Sequence, residues 1–137
     1  LLLAGASWLS PAAAGGQGQN VELVGSIGGS VRAVAVEGDY AYIGEGAGLT
    51  ILDVSDSSQP RSVGRIALPS VVTGVAVAGS LAYVAAGSSG LQIVDVSNPA
   101  APFLRGVYDT PGYAYDVAVA GSLAYVANGS SGLQIVD

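Results

Sequence analysis

Residues 75–95 read VAVAGSLAYVAAGSSGLQIVD, and residues 117–137 read VAVAGSLAYVANGSSGLQIVD. The two phrases differ only where Asn128 stands in place of Ala86. An earlier copy, VAVEGDYAYIGEGAGLTILD at 34–53, follows the same plan with one residue fewer in its glycine-rich turn. Asp53, Asp95 and Asp137 recur at a step of 42, as do Gly48, Gly90 and Gly132. Units of this length are too small to hold a core of their own. They bury apolar surface only against neighbouring units, as in solenoids and propellers.

The content of one period chooses between these architectures. Gly74 to Ala78 reads as a strand with Val75 and Val77 on one face, and Ala78-Gly79-Ser80 turns the chain into a second strand, Leu81 to Ala85. Gly87-Ser88-Ser89-Gly90 is a tight turn of residues that tolerate positive φ. A third strand runs Leu91 to Val96 and ends at Ser97-Asn98-Pro99, because proline removes a ladder donor. A fourth runs near Phe103 to Tyr108, and Pro111-Gly112 returns the chain to the next unit. No stretch free of glycine and proline sustains a 3.6-residue period, and the 21 glycines fit the same turn-rich plan. Leu91 and Ile93 lie on one side of the third strand, Val94 and Val96 on the other. A sheet with one wet face alternates apolar and polar residues, and this strand does not. The expected fold is therefore all-β: β-propeller blades of four antiparallel strands, about 42 residues per repeat.

LQIVD at 91–95 and 133–137, and LTILD at 49–53, resemble the LVIVD repeat of exported bacterial and archaeal proteins. The resemblance covers about residues 21–137 and implies a β-propeller. It implies no activity, since that family is defined by its repeat. The first copy departs from the pattern at Thr50 and Leu52 and in its shorter turn, as terminal repeats often do. About two and a half repeats make an incomplete ring. Position 1 is Leu and Asp137 falls inside the phrase, so both ends read as cut and the chain as a fragment.

Several chemistries are excluded by composition. Cys, His and Met are missing, which removes disulfides, zinc fingers, thiol nucleophiles and histidine acid–base catalysis. Four arginines, no lysine and a net charge of −6 leave no basic footprint, so no nucleic-acid partner is expected. Residues 1–14, LLLAGASWLSPAAA, read as a truncated signal peptide with an A-x-A-like cleavage site at Ala12–Ala14. Ser7, Ser10 and Pro11 interrupt the run too early for a transmembrane anchor, so no membrane span is expected in the mature segment. Residues 15–20 read as a linker and 21–137 as the partial propeller. The implied location is outside the cytoplasm: periplasmic, cell surface or secreted.

Among the repeated residues, Asp53, Asp95 and Asp137 read as turn caps, each placed to accept a backbone N–H two residues on. The alternative is a carboxylate ring holding a cation. Calcium ligands are conceivable in Asp53 with Asp56, or Glu37 with Asp39 and Glu45, but no segment has the spacing of a calcium loop, and no cofactor or metal is expected. Tyr42, Tyr83 and Tyr125 recur once per copy and read as packing residues. Gly48, Gly90 and Gly132 read as structural. No catalytic constellation is visible. The links between the fourth strand and the next first strand vary between copies, and loops on a rigid frame carry function. They supply a candidate binding set: Arg32, Tyr113, Tyr115 and Asp116. The expected function is a non-catalytic, exported module that binds or scaffolds a protein or polysaccharide at the cell surface. The alternatives are a propeller hydrolase, lactonase or lyase with its catalytic residues in further blades, and an architectural segment of a longer surface protein.

Overall fold

The structure, a computed structural model, describes residues 21–137. The expected signal segment at 1–14 and the linker at 15–20 lie outside the described residues. Eleven strands follow in three antiparallel sheets. Sheet 1 holds β1 (Val31–Glu37), β2 (Tyr40–Glu45), β3 (Gly48–Asp53) and β4 (Arg61–Ala67). Sheet 2 holds β5 (Gly74–Ala78), β6 (Leu81–Ala85), β7 (Leu91–Asp95) and β8 (Phe103–Tyr108). Sheet 3 holds β9 (Asp116–Ala120), β10 (Leu123–Ala127) and β11 (Leu133–Val136). In every sheet the spatial order follows the sequence order, so each is a meander of hairpins, as in a propeller blade. Among the described residues the three blades do not close into a ring.

Two-residue loops join the first and second strands of each blade, with Gly38, Gly79 and Gly121 at φ of 61°, 62° and 62°. Glycine enters that left-handed region without a Cβ penalty, which keeps the hairpin tight. The register then repeats. Tyr42 faces Ala35 and Ile51, Tyr83 faces Ala76 and Ile93, and Tyr125 faces Ala118 and Ile135. A register shift interrupts the third pairing at the same place in both four-stranded blades, between Ile51 and Leu52 and between Ile93 and Val94.

Because side chains alternate along a strand, this register gives each blade two apolar faces. Tyr42, Leu49 and Ile51 of sheet 1 pack with Ala82, Val84 and Val94 of sheet 2. The other face of sheet 2, with Ala85 and Leu91, packs with Val117, Ala124 and Val126 of sheet 3. Each such aliphatic side chain contributes roughly 1.5–3 kcal/mol when fully buried. Among the described residues no cluster lies against the far face of sheet 3. Leu91 is 0% exposed, while its repeat counterpart Leu133 is 60% exposed and Ile135 is 57% exposed.

The first strands of successive blades run side by side. Close approach there depends on small residues. A Cβ built on Gly74 would stand 2.6 Å from the Asp116 carboxylate and 2.8 Å from the Asp116 Cα.

Candidate functional site

The aspartates that close each phrase sit at the end of the third strand. Asp53 Oδ1 accepts the Ser55 backbone N–H at 2.9 Å and the Ser55 hydroxyl at 2.6 Å. Asp95 Oδ1 does the same with Ser97, at 2.9 and 2.6 Å. The other carboxylate oxygens accept Arg61 at 3.1 Å and Arg105 at 2.9 Å. These arginines do not occupy equivalent repeat positions. Arg61 pairs across from Asp53 in the ladder, whereas Arg105 is the residue skipped at the register shift of sheet 2. Asp137, the third of the set, is exposed.

Hydrogen bonds from Ser55 hold the Asp53 carboxyl below its ordinary range, with Arg61 adding to the effect. Ser97 and then Arg105 do the same for Asp95. Folded-state pKa values below the unfolded value of 3.8 mean stability that is present above that pH and lost as pH falls through the folded values. Asp53→Ala/Asp95→Ala is therefore expected to melt at a lower temperature than the parent at pH 7. The difference should shrink below pH of about 4. Thermal melts at a series of pH values check it, and a difference that persists unchanged in acid would contradict the assignment.

Tyr42 is buried, and burial pushes its phenol above the usual range, helped by the nearby Glu37 and Tyr40. Tyr83 and Tyr125 are half-buried. The carboxylates considered for calcium are otherwise engaged or apart. Asp56 accepts the Ser58 N–H and hydroxyl, and Glu45 accepts the Thr50 hydroxyl at 2.6 Å with Arg65 3.7 Å away. Among the described residues no three such side chains gather in one place.

The links and the second-to-third-strand turns lie together at one end of the blades. The Ala114 N–H donates to the Gly87 carbonyl at 2.9 Å, tying the 109–115 link to the turn of sheet 2. The Tyr115 N–H donates to the Ala127 carbonyl at 2.8 Å, tying it to sheet 3. Thr73 bridges the same two blades, its hydroxyl lying 2.6 Å from the Ala114 carbonyl and 3.1 Å from the Ala85 carbonyl. On this base Tyr113 and Tyr115 stand side by side, ring centroids 4.8 Å apart and planes tilted by 48°. Each ring covers a turn glycine. A Cβ on Gly87 would stand 2.9 Å from Tyr113, and one on Gly129 would stand 3.0 Å from Tyr115. The outward faces stay open, with Tyr113 36% and Tyr115 55% exposed.

Asp116 follows at the start of β9, its Oδ1 accepting the Val117 N–H at 2.9 Å. Arg32 lies inside β1 of sheet 1 rather than in a link, is exposed, and makes no ion pair among the described residues. The register sets it at the place that Thr73 and Tyr115 hold in the next two blades. Of the four candidate residues, then, Tyr113, Tyr115 and Asp116 share one segment, and Arg32 stands on the first blade.

Two clefts flank sheet 3, the second of them reaching Asp116. One of about 140 Å³ opens between sheets 2 and 3 against Leu81, Tyr83, Leu91, Ile93, Val119 and Val136. Another of about 200 Å³ lies on the uncovered face of sheet 3, against Ala118, Tyr125, Ala127 and Leu133. Both are mainly apolar; their polar lining is Ser122 and Asp137 in the first and Asp116 in the second.

The family model described as the LVIVD repeat matches residues 28–67, 71–110 and 111–137. Compared with curated proteins, the chain shows no significant match.

Proposed function

The chain belongs to the LVIVD-repeat family, and on that premise we propose that it is a non-catalytic binding module, exported and displayed at the cell surface, that recognises a protein or polysaccharide. The observation that carries this reading is the Tyr113–Tyr115 pair. Two amphipathic rings are held edge by edge over turn glycines, with their outer faces open to solvent. The matching link of the preceding blade has Val71 and Thr73 at these positions, so the scaffold does not require aromatics there. Rigid tyrosines offer large contact area at low entropic cost, and they are enriched where binding energy concentrates. Asp116 adds a negative charge beside the pair, while Arg32 stands apart on the first blade. Export rests on the uncharged apolar run at 1–14 and its small-residue end. The net charge of −6 disfavours nucleic acid as the ligand.

Tyr113→Ala/Tyr115→Ala tests it. Retention on a panel of immobilised polysaccharides and on solubilised envelope proteins is expected to fall by roughly 30-fold, the scale of losing about 2 kcal/mol at a binding hot spot. The melting temperature is expected to stay within a few degrees of the parent, since neither ring belongs to the buried clusters between the blades. Unchanged retention, or loss of binding in step with loss of fold, would remove these residues from the site.

A further inference from the structure

Asn128 is the one residue of the duplicated phrase that departs from its counterpart, Ala86. The turn does not need it. Around Ala86 the backbone bonds run Ala86 N–H to the Gly90 carbonyl at 2.9 Å and Ser89 N–H to the Ala86 carbonyl at 2.8 Å. Around Asn128 they run Asn128 N–H to the Gly132 carbonyl at 2.8 Å and Ser131 N–H to the Asn128 carbonyl at 3.1 Å. The pattern is the same with alanine or asparagine, and both side chains are buried. Burying an amide costs free energy unless it is bonded, and Asn128 Oδ1 has no partner. The other end of the amide is engaged: Nδ2 donates to the Pro111 carbonyl in the link that carries the tyrosines.

A second difference answers the first. Gly112 stands where the preceding link has Ser70, one step of 42 earlier. In sheet 2 the Ser70 hydroxyl meets the hydroxyls of Ser88 at 3.1 Å and Ser89 at 2.8 Å. In sheet 3 the link side chain is gone. A Cβ on Gly112 would come within 2.8 Å of the Ser131 hydroxyl and 3.4 Å of Asn128 Nδ2, and Gly112 has a φ of 96°. The polar tie between link and turn is thus made by the link in one blade and by the turn in the next.

We infer that Asn128 is a positioning residue for the Tyr113–Tyr115 pair, fixing the upstream end of the link through the Pro111 carbonyl so that the rings settle over Gly87 and Gly129. The downstream end is held independently, by the Ala114 and Tyr115 N–H groups. Gly112 between them has no side chain to restrict it, so the tie at Pro111 decides where Tyr113 starts. The inference rests on the reading of this pair as the recognition surface only for its effect on binding.

Asn128→Ala is the test, because sheet 2 already builds the same turn on alanine. In the parent, an NMR cross-peak between the Tyr113 and Tyr115 rings is expected. In the variant that cross-peak is expected to vanish and amide exchange at Ala114 and Tyr115, the bonded N–H groups of the link, to speed up at least tenfold. Amides of β5–β7 should exchange as before, and retention on the same polysaccharide and envelope panel should fall at least tenfold. A missing cross-peak in the parent, or ring contact and exchange unchanged in the variant, overturns the positioning role. So does exchange that accelerates equally in all three sheets. Lost ring contact with unaltered retention upholds the positioning role and overturns the recognition reading instead.

Discussion

Leu91→Ala is expected to destabilise the protein by about 2–5 kcal/mol, and Leu133→Ala, in the same five-residue phrase, by less than about 1 kcal/mol. Leu91 is 0% exposed, with Val117, Ala124 and Val126 of the next blade in its cluster. Removing its isobutyl group leaves a cavity between two sheets that are fixed by their own hydrogen bonds and relax little. Leu133 projects from the uncovered side of sheet 3 and loses almost nothing to truncation. Urea midpoints of the two variants measure the difference directly. Equal costs would mean that the blades do not pack as described, or that the two faces of sheet 3 are equally covered.

Gly74→Val is expected to be comparably severe for a different reason. Here the chain needs an empty space rather than a filled one. The added Cβ would meet the Asp116 carboxylate at 2.6 Å, its Cα at 2.8 Å and the Val117 nitrogen at 3.2 Å. The carboxylate can swing aside, but the backbone of β9 cannot. Sheet 3 must slide away from sheet 2, losing part of the cluster around Ala114, Val117 and Val126. Overpacking of this kind costs about 1–3 kcal/mol, and more where backbone is the obstacle. Proteolysis is expected to cut first in 116–137 of the variant, with β5–β8 left intact. A variant as stable and protease-resistant as the parent would show that the first strands do not approach this closely.

Much of this fold is legible in the residues. The strands at Gly74–Ala78, Leu81–Ala85 and Phe103–Tyr108 follow from the turn glycines and the proline between them. The third strand stops at Asp95 rather than Val96. There the Asp95 carboxylate takes the Ser97 N–H and bends the chain away. What the residues could not reveal is which neighbour each face meets. Leu91 and Leu133 have the same local sequence, so no pattern along the chain distinguishes the buried one from the exposed one. The arginine partners were hidden for a related reason. Arg61 and Arg105 break the repeat step, and only the register shift brings both to their aspartates. The candidate binding set is divided in the same way. Tyr113 and Tyr115 are adjacent because two successive turns offer flat glycine seats, while Arg32 is separated from them by a whole blade. Asn128 did announce itself as the single departure in a duplicated phrase, but its role depends on a link and a turn meeting in space.

Among the described residues sheet 3 packs through one face against sheet 2, and the 109–115 link joins the two. Tyr115 and Asp116 sit on sheet 3 or at its entrance, while Tyr113 rests on the turn of sheet 2. A guest that grips both tyrosines would clamp one blade to the next. Occupancy would then be thermodynamically linked to the closing of that joint, so that anything loosening the contact between the two blades would also loosen the guest.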